Sequence, residues 1–382
     1  LAAALALAAG QQPQGCTWQL DSVGGTGQHL DLGGGRVHQH AGGGVWASCR
    51  GQETRMYADS VAWYSERNRV DFIGRVNFRD SVVTLDAELA SYFLRDERLE
   101  AYGRVRLVNR ETGSELQGPQ LVYWRAVPGT RDSAELYAAQ RPTVRYRSAG
   151  DPAGAEPYVI VATRVRMRGE SATWAGGDVT VERGDFRAAA DSAALQLERG
   201  LVEFLGHARV RSEGWKLTSD TIHFFLVDDR IQSGVAWGDS SRPVVASESY
   251  DLTADSVAID APNQELKEIR GFGRGQATAH PDSAHADSTV GEPDWVAGDS
   301  LVARFDTTEG GGGKRILQSL EAQGKARAFY RVFEEDGRTL AGINYSRGTR
   351  ILALFRGDGI ERVHVVGGSD GIYLEPVRRR PP

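Results

Sequence analysis

The sequence predicts an all-β meander of short antiparallel strands joined by hairpins. Three observations predict it. Apolar and polar residues alternate with period two in VEFLGHARVR (202–211), GRVNF (74–78) and GRVRL (103–107), the pattern of half-buried strands whose successive side chains point to opposite faces. Turn signals such as SERN, RDER, LERG and VDDR separate these runs. An apolar-x-small-Asp-Ser motif also recurs along the chain. It appears in YADSVAWY (57–64), AADSAALQL (189–197), LTADSVAIDA (252–261) and VAGDSLVARF (296–305), with the variant LTSDTIHFF at 217–225. Roughly twenty or more strands would fill the chain. The best helical candidate, RILQSLEAQGKA (315–326), fits the strand pattern equally well and is assigned to it.

The repeat has two halves. After each Asp the apolar residues alternate, as Val61 and Trp63 do after Asp59, or Ile222 and Phe224 after Asp220. A second half then closes the unit with Gly-x-Val/Ala, as in VDFIGRVNF (70–78), RLEAYGRVRL (98–107), LVEFLGHARV (201–210) and LEAQGKARAFY (320–330). Asp tolerates irregular backbone and accepts hydrogen bonds from nearby amides. Gly within a strand marks a bulge or a close backbone approach. A recurring Asp-Gly pair therefore reads as a corner device that lets the sheet fold over, not as a catalytic pair. Two runs break the pattern. TLDAELASYF (84–93) has Glu88 where an apolar residue is expected, and LQGPQLVYW (116–124) has Gly118 in place of Asp.

The chain has 382 residues, 46 glycines, only 13 prolines and a formal charge of -6. Many glycines with few prolines indicate tight turns rather than a disordered linker. The acidic balance excludes the basic footprint of a nucleic-acid binder. The opening LAAALALAAG (1–10) reads as the back half of a secretory signal peptide, a short apolar run ending in small residues. Cys16 and Cys49 are an even pair in a chain expected to be exported, which allows a disulfide or two free thiols. The expected organisation is an N-terminal segment (11–40), a first β module (41–125), an irregular Pro/Gly-rich connection (126–160), a second module (161–278), a polar loop (279–294), a third β segment (295–375) and a basic, Pro-containing tail (376–382).

Sites for chemistry are weak. His38 and His40 share a strand face without a matching ligand set. GGGGKR (310–315) lacks the spacing and the hydroxyl residue of a phosphate loop, and GFGRGQ (271–276) opens no helix. No catalytic residue, metal or cofactor is expected, and the chain is not expected to be an enzyme.

Taken together, Ala58-Asp59-Ser60, Ala190-Asp191-Ser192 and Ala254-Asp255-Ser256, with Gly74, Gly103, Gly206 and Gly324, resemble the repeat of the OstA/LptA family of lipopolysaccharide-transport proteins. GGGVWASCRGQETRMYADS (42–60) looks like that family's opening strand pair. The resemblance implies an elongated, folded-over β jelly roll, or β-taco, that encloses an apolar groove. It further implies a periplasmic bridge between inner and outer membrane that carries lipopolysaccharide or a related glycolipid, acyl chains inside and sugars in water, without a cofactor. Alternating residues facing such a groove would be Val61, Trp63, Val76, Phe78, Val105, Leu107, Leu195, Leu197, Phe204, Ile222, Phe224, Val257, Ile259, Leu301 and Phe305. Each fits a dry core equally well. An open meander also leaves end strands free to pair with other bridge subunits or head to tail with a second copy. Two other roles fit the pattern: a periplasmic component of the outer-membrane assembly machinery, and a structural β-solenoid or adhesin with a dry core.

Overall fold

The computed structural model describes residues 16–147, 154–169, 171–212, 214–228, 230–262, 265–280, 292–307, 315–334, 339–356 and 359–376. The expected signal peptide (1–10), the glycine run at 310–313, most of the polar loop and most of the basic tail lie outside them. The chain divides into two compact units, residues 1–184 with 192–199 and residues 185–191 with 200–382. The division falls inside the stretch expected as the second module.

The fold is all-β and antiparallel. The first unit contains β1 (Trp18–Val23), β2 (Gly27–Asp31), β3 (Val37–Cys49), β4 (Arg55–Tyr64), β5 (Arg69–Arg79), β6 (Val83–Phe93), β7 (Arg98–Asn109), β8 (Glu115–Trp124), β9 (Glu135–Ala139), β10 (Thr143–Tyr146), β11 (Tyr158–Val161), β12 (Arg164–Arg168) and β13 (Ala172–Arg183). The division between units falls within β14 (Phe186–Gln196). The second unit continues with β15 (Leu201–Ser212), β16 (Trp215–Val227), β17 (Arg230–Trp237), β18 (Val244–Ser247), β19 (Tyr250–Thr253), β20 (Ser256–Asp260), β21 (Glu268–Ala279), β22 (Trp295–Thr307), β23 (Arg315–Phe333), β24 (Leu340–Arg356), β25 (Gly359–Val366) and β26 (Asp370–Leu374). From β3 to β8, and again from β20 to β25, each strand pairs with its sequence neighbour.

Within residues 126–160, expected as an irregular connection, β9, β10 and the start of β11 belong to the sheet. β9 and β10 both pair with β8, so together they form one interrupted strand, and β11 pairs with β10. Gln140 and Arg141, between β9 and β10, adopt φ of 64° and 63°. Pro142 follows directly and supplies no amide to the ladder. Pro142, one of the residues that signalled a break, marks a corner instead.

The same corner recurs at the middle of alternate strands. Gly74 and Arg75 adopt φ of 74° and 44°, Gly103 and Arg104 74° and 43°, and Gly273 and Arg274 73° and 47°. At each corner the pairing register shifts. Gly74–Arg75 lie opposite Glu88 alone, and Gly273–Arg274 opposite Asp299 alone. Two residues facing one is a β-bulge, which bends the strand and sharpens its twist. The first corner position is Gly because the acidic side chain of the neighbouring strand occupies the space a Cβ would need: such an atom would lie 2.5 Å from Asp59 Oδ2 at Gly74 and 2.4 Å from Asp255 Oδ2 at Gly273.

This geometry explains the Asp-Ser motif. On the acidic strands inward residues are spaced by three across the corner instead of two: Ala58 and Val61, Ala87 and Ala90, Ala254 and Val257 are all buried. A small inward residue precedes the acid, whose carboxylate points back at the neighbouring glycine. The following Ser lies opposite a bulky outward residue of at least one flanking strand. Ser60 pairs with Ile73, and Ser256 with both Trp237 and Phe272. Glu88 stands at an Asp position rather than an apolar one. Its carboxylate accepts from Arg104 Nε at 2.6 Å, as Asp59 accepts from Arg75 Nε at 2.8 Å. In β8 the corner residue is Pro119, flanked by Gly118 and Gln120 in the register with β7.

Candidate functional site

In a meander, successive turns lie on opposite edges of the sheet. In the first unit one edge carries the turns at 50–54, 80–82 and 110–114, and the other carries 65–68, 94–97 and 125–134. Groups from both edges meet. Arg125, just past the end of β8, donates through Nη1 to Glu97 at 2.9 Å, on its own edge. Through Nη2 it reaches Gln52 Oε1 at 2.6 Å and Thr54 Oγ1 at 2.9 Å, on the opposite edge. The Tyr123 hydroxyl donates to Asp80 at 3.1 Å, again across the edges. The strands from β3 to β8 are therefore folded back near their midpoints, and the two edges of the sheet close on each other.

The interior of the first unit is filled. Phe72, Phe78, Leu85, Tyr92, Leu99 and Leu121 are at most 1% exposed and belong to one packed cluster. Trp18 packs edge-on to Tyr92 at 5.2 Å and tilted to Phe72 at 6.0 Å. Cys16 and Cys49 form a disulfide, which ties the start of β1 to the end of β3. Burial, with the Glu97 charge, pushes the Tyr92 hydroxyl pKa far up, and burial with the Asp80 charge does the same to Tyr123. Burial works against the Arg125 guanidinium, but Tyr92, Glu97 and Asp80 around it hold its pKa above the ordinary arginine value.

The second unit has space between its edges. A cavity of about 120 Å³ lies between residues near one edge, among them Trp215, Tyr250 and Leu252, and residues near the other, among them Ile269, Phe305 and Leu317. Among the described residues its one charged lining residue is Glu248, which with Ser247 and Ser249 forms a polar rim. A second space of about 40 Å³, lined by Trp295, Phe329, Ile351 and Val363, shares Tyr250, Ala277, Leu320 and Phe355 with the first. Tyr250 and Phe355 meet edge to face at 5.5 Å across the edges. Beside the rim, His280 pairs with Asp251 at 2.9 Å.

The residues expected to face a groove all avoid full exposure. Val61, Val76, Phe78, Val105 and Leu107 belong to the packed core of the first unit, with Trp63 against it. Leu195 and Leu197 are half-buried. Phe204, Ile222, Phe224, Val257, Ile259 and Leu301 are buried in the second unit. Phe305 is half-buried and is the member of the set that lines the larger cavity. Sequence reasoning missed Trp215, Tyr250, Leu317 and Phe355, because they lie at strand ends, away from the Asp-Gly corners that organise the repeat. GFGRGQ belongs to β21, and its Gly273–Arg274 pair is one of the corners. His38 pairs with Glu66 at 2.9 Å and packs edge-on to Tyr64 at 4.9 Å. Among the described residues no group of three or more His, Cys, Asp and Glu side chains gathers as a metal site would.

No family model matches this chain, and no curated protein matches it.

Proposed function

We propose that this protein binds and carries an amphipathic lipid, a lipopolysaccharide or related glycolipid, with acyl chains held between the sheet edges of the second unit and the polar head outside. On this reading it is exported to the periplasm and serves transport between inner and outer membrane. The observation that supports the reading best is the apolar space bounded by both edges of a folded-over sheet, with a polar rim at Ser247, Glu248 and Ser249. Each methylene transferred from water into such a space gains about 0.8 kcal/mol. An apolar cavity of about 150 Å³ is enough to hold benzene, so the present space accepts the end of a chain, and a longer chain needs the edges to part. The Tyr250–Phe355 contact is the partition that would have to move.

A second reading is favoured by the first unit. Its filled interior suits a dry structural scaffold, and lipid contact is therefore assigned to the second unit alone.

Photo-crosslinking in a lipopolysaccharide-producing host tests the proposal. A photoreactive residue replaces Phe305, with outward Arg75 and interior Phe78 as controls. Glycolipid adducts at position 305 and none at 75 or 78 support lipid carriage by the second unit. No adduct at 305 in a folded protein refutes it.

A further inference from the structure

The polar groups between the edges of the first unit form a single buried cluster. The side chains of Asp80, Glu97 and Arg125 are 5%, 6% and 12% exposed. Arg125 Nη1 donates to Glu97 at 2.9 Å, and its Nε lies 3.7 Å from Asp80 Oδ2. The Tyr92 hydroxyl donates to the same Glu97 oxygen that Arg125 holds, and Tyr123 donates to Asp80. The Cys16 amide donates to the other Glu97 oxygen at 2.5 Å. Around this centre, Arg131 Nη1 donates to the Arg125 carbonyl at 2.7 Å, and Arg110 Nη1 to the Asp80 carbonyl at 2.6 Å.

The cluster costs desolvation that an apolar seam of the same shape would avoid. Replacing buried ion networks with apolar residues is often neutral or stabilising. Such networks instead hold one arrangement against others, because a half-satisfied network in a low-dielectric interior is unfavourable. Here the arrangement held is the meeting of two sheet edges. Glu97 and Arg125 come from one edge, Asp80, Thr54 and Gln52 from the other, and Cys16 from just before β1, where the disulfide to Cys49 fixes it beside the second edge. The guanidinium suits this role because its planar fork serves several acceptors at once.

We infer that the Arg125–Glu97–Asp80 cluster is a clasp that locks the two edges of the first unit together and keeps its apolar interior shut. The inference concerns the first unit alone and does not depend on what the second unit carries. The clasp couples the edges: when Arg125 lets go, the turns on both loosen together, and Phe72, Phe78 and Leu85 become reachable.

The test compares the full chain with Arg125→Met by amide hydrogen exchange and by fluorescence of anilinonaphthalene sulfonate, an apolar dye. Circular dichroism verifies that the β structure remains. The expected result is exchange at least tenfold faster at 50–54, 80–82 and 94–97 together, with exchange in the second unit unchanged and a rise in dye fluorescence. Faster exchange confined to 94–97 and 125–131 would make Arg125 a local turn support and overturn the clasp, as would unchanged exchange in a folded variant. If Arg125→Met does not fold, Arg125→Lys decides. It keeps the charge but loses the fork, so the clasp requires the same coupled loosening at both edges, and loosening at one edge or none overturns it.

Discussion

The carboxylate of Asp59 occupies the space that a side chain at Gly74 would need. A Cβ at Gly74 would lie 2.5 Å from Asp59 Oδ2 and 3.1 Å from Asp59 Cβ, and Gly74 has φ of +74°. Two costs therefore act on Gly74→Ala. The left-handed backbone costs a non-glycine residue about 1–2 kcal/mol, and the clash displaces a carboxylate that is bound to Arg75. Gly74→Ala is expected to destabilise the protein by about 2–4 kcal/mol. Adding Asp59→Ala should recover part of that loss and leave the backbone component, so the two changes are non-additive in a double-mutant cycle. Additive losses in urea denaturation would show that the pair does not share one space.

The Cys16–Cys49 bond closes a loop with a sequence separation of 33. Loop-closure arguments assign such a bond about 3–4 kcal/mol. Cys16→Ser with Cys49→Ser should lower stability by about that amount. It should also speed exchange at the Trp18 amide and its neighbours before any change in the second unit. Equal loss of protection in both units would contradict a local anchoring role.

Outward from the second unit's sheet, Glu321 is held by several donors. Arg350 Nε lies at 2.6 Å, Gln323 Nε2 at 2.6 Å and Arg304 Nη1 at 3.4 Å. Its side chain is only 5% exposed because arginine side chains cover it. The Arg350 hydrogen bond is the main cause that keeps its carboxyl below the ordinary glutamate pKa, against the pull of burial. A carboxylate with a lowered folded pKa contributes stability above its unfolded pKa of about 4.3 and loses that contribution as pH falls through the folded value. Glu321→Gln should therefore cost about 2 kcal/mol at pH 7. The gap to wild type should narrow below about pH 4. A gap independent of pH would mean that packing, not charge, is lost.

The two buried tyrosines report on alkaline stability with the opposite sign. The folded pKa values of Tyr92 and Tyr123 are raised, first by burial and then by Glu97 and Asp80. Their contribution is complete below the unfolded tyrosine pKa of about 10 and is lost as pH rises above it, because only the unfolded state then gives up the protons. In an ultraviolet titration these two of the 12 tyrosines should ionise only with cooperative unfolding. Smooth titration of all 12 in a folded chain would refute their burial.

The corner device was legible in the sequence because it uses residue types with few substitutes. Gly74, Gly103, Gly206 and Gly324 all adopt positive φ, and the Asp of each Asp-Ser faces such a glycine. One methylene more on its side chain hides the equivalence of Glu88 to the Asp of the repeat. Asp59 reaches Gly74–Arg75 and Glu88 reaches Gly103–Arg104, each from the neighbouring strand. Residues 140–142 hide a corner because Gln-Arg-Pro makes the bend without glycine. The edges were not legible at all. Arg125, Glu97 and Asp80 are separated by many residues, and only folding each strand at its midpoint brings them together. No periodicity marks a contact that depends on the two ends of every strand meeting. The cavity is hidden in the sequence for the same reason: Tyr250 begins one strand and Phe355 nears the end of another.

That contact carries the last prediction. Tyr250 and Phe355 line both spaces in the second unit, and their rings meet at 5.5 Å between the edges. Tyr250→Ala removes the partition and should merge the two spaces into one apolar channel. Truncating a partly buried aromatic costs stability, here about 2–3 kcal/mol, below the range for a fully buried ring because Tyr250 is only half-buried. If the space receives acyl chains, the same change should raise affinity for a fluorescent fatty acid, because the chain no longer has to displace the ring. Phe305→Trp should do the reverse by filling the larger space. Binding and stability would then move in opposite directions for Tyr250→Ala, which a loss of folding cannot imitate. Parallel loss of both, with Phe305→Trp leaving binding unchanged, would mean that the space between these edges is not where a chain enters.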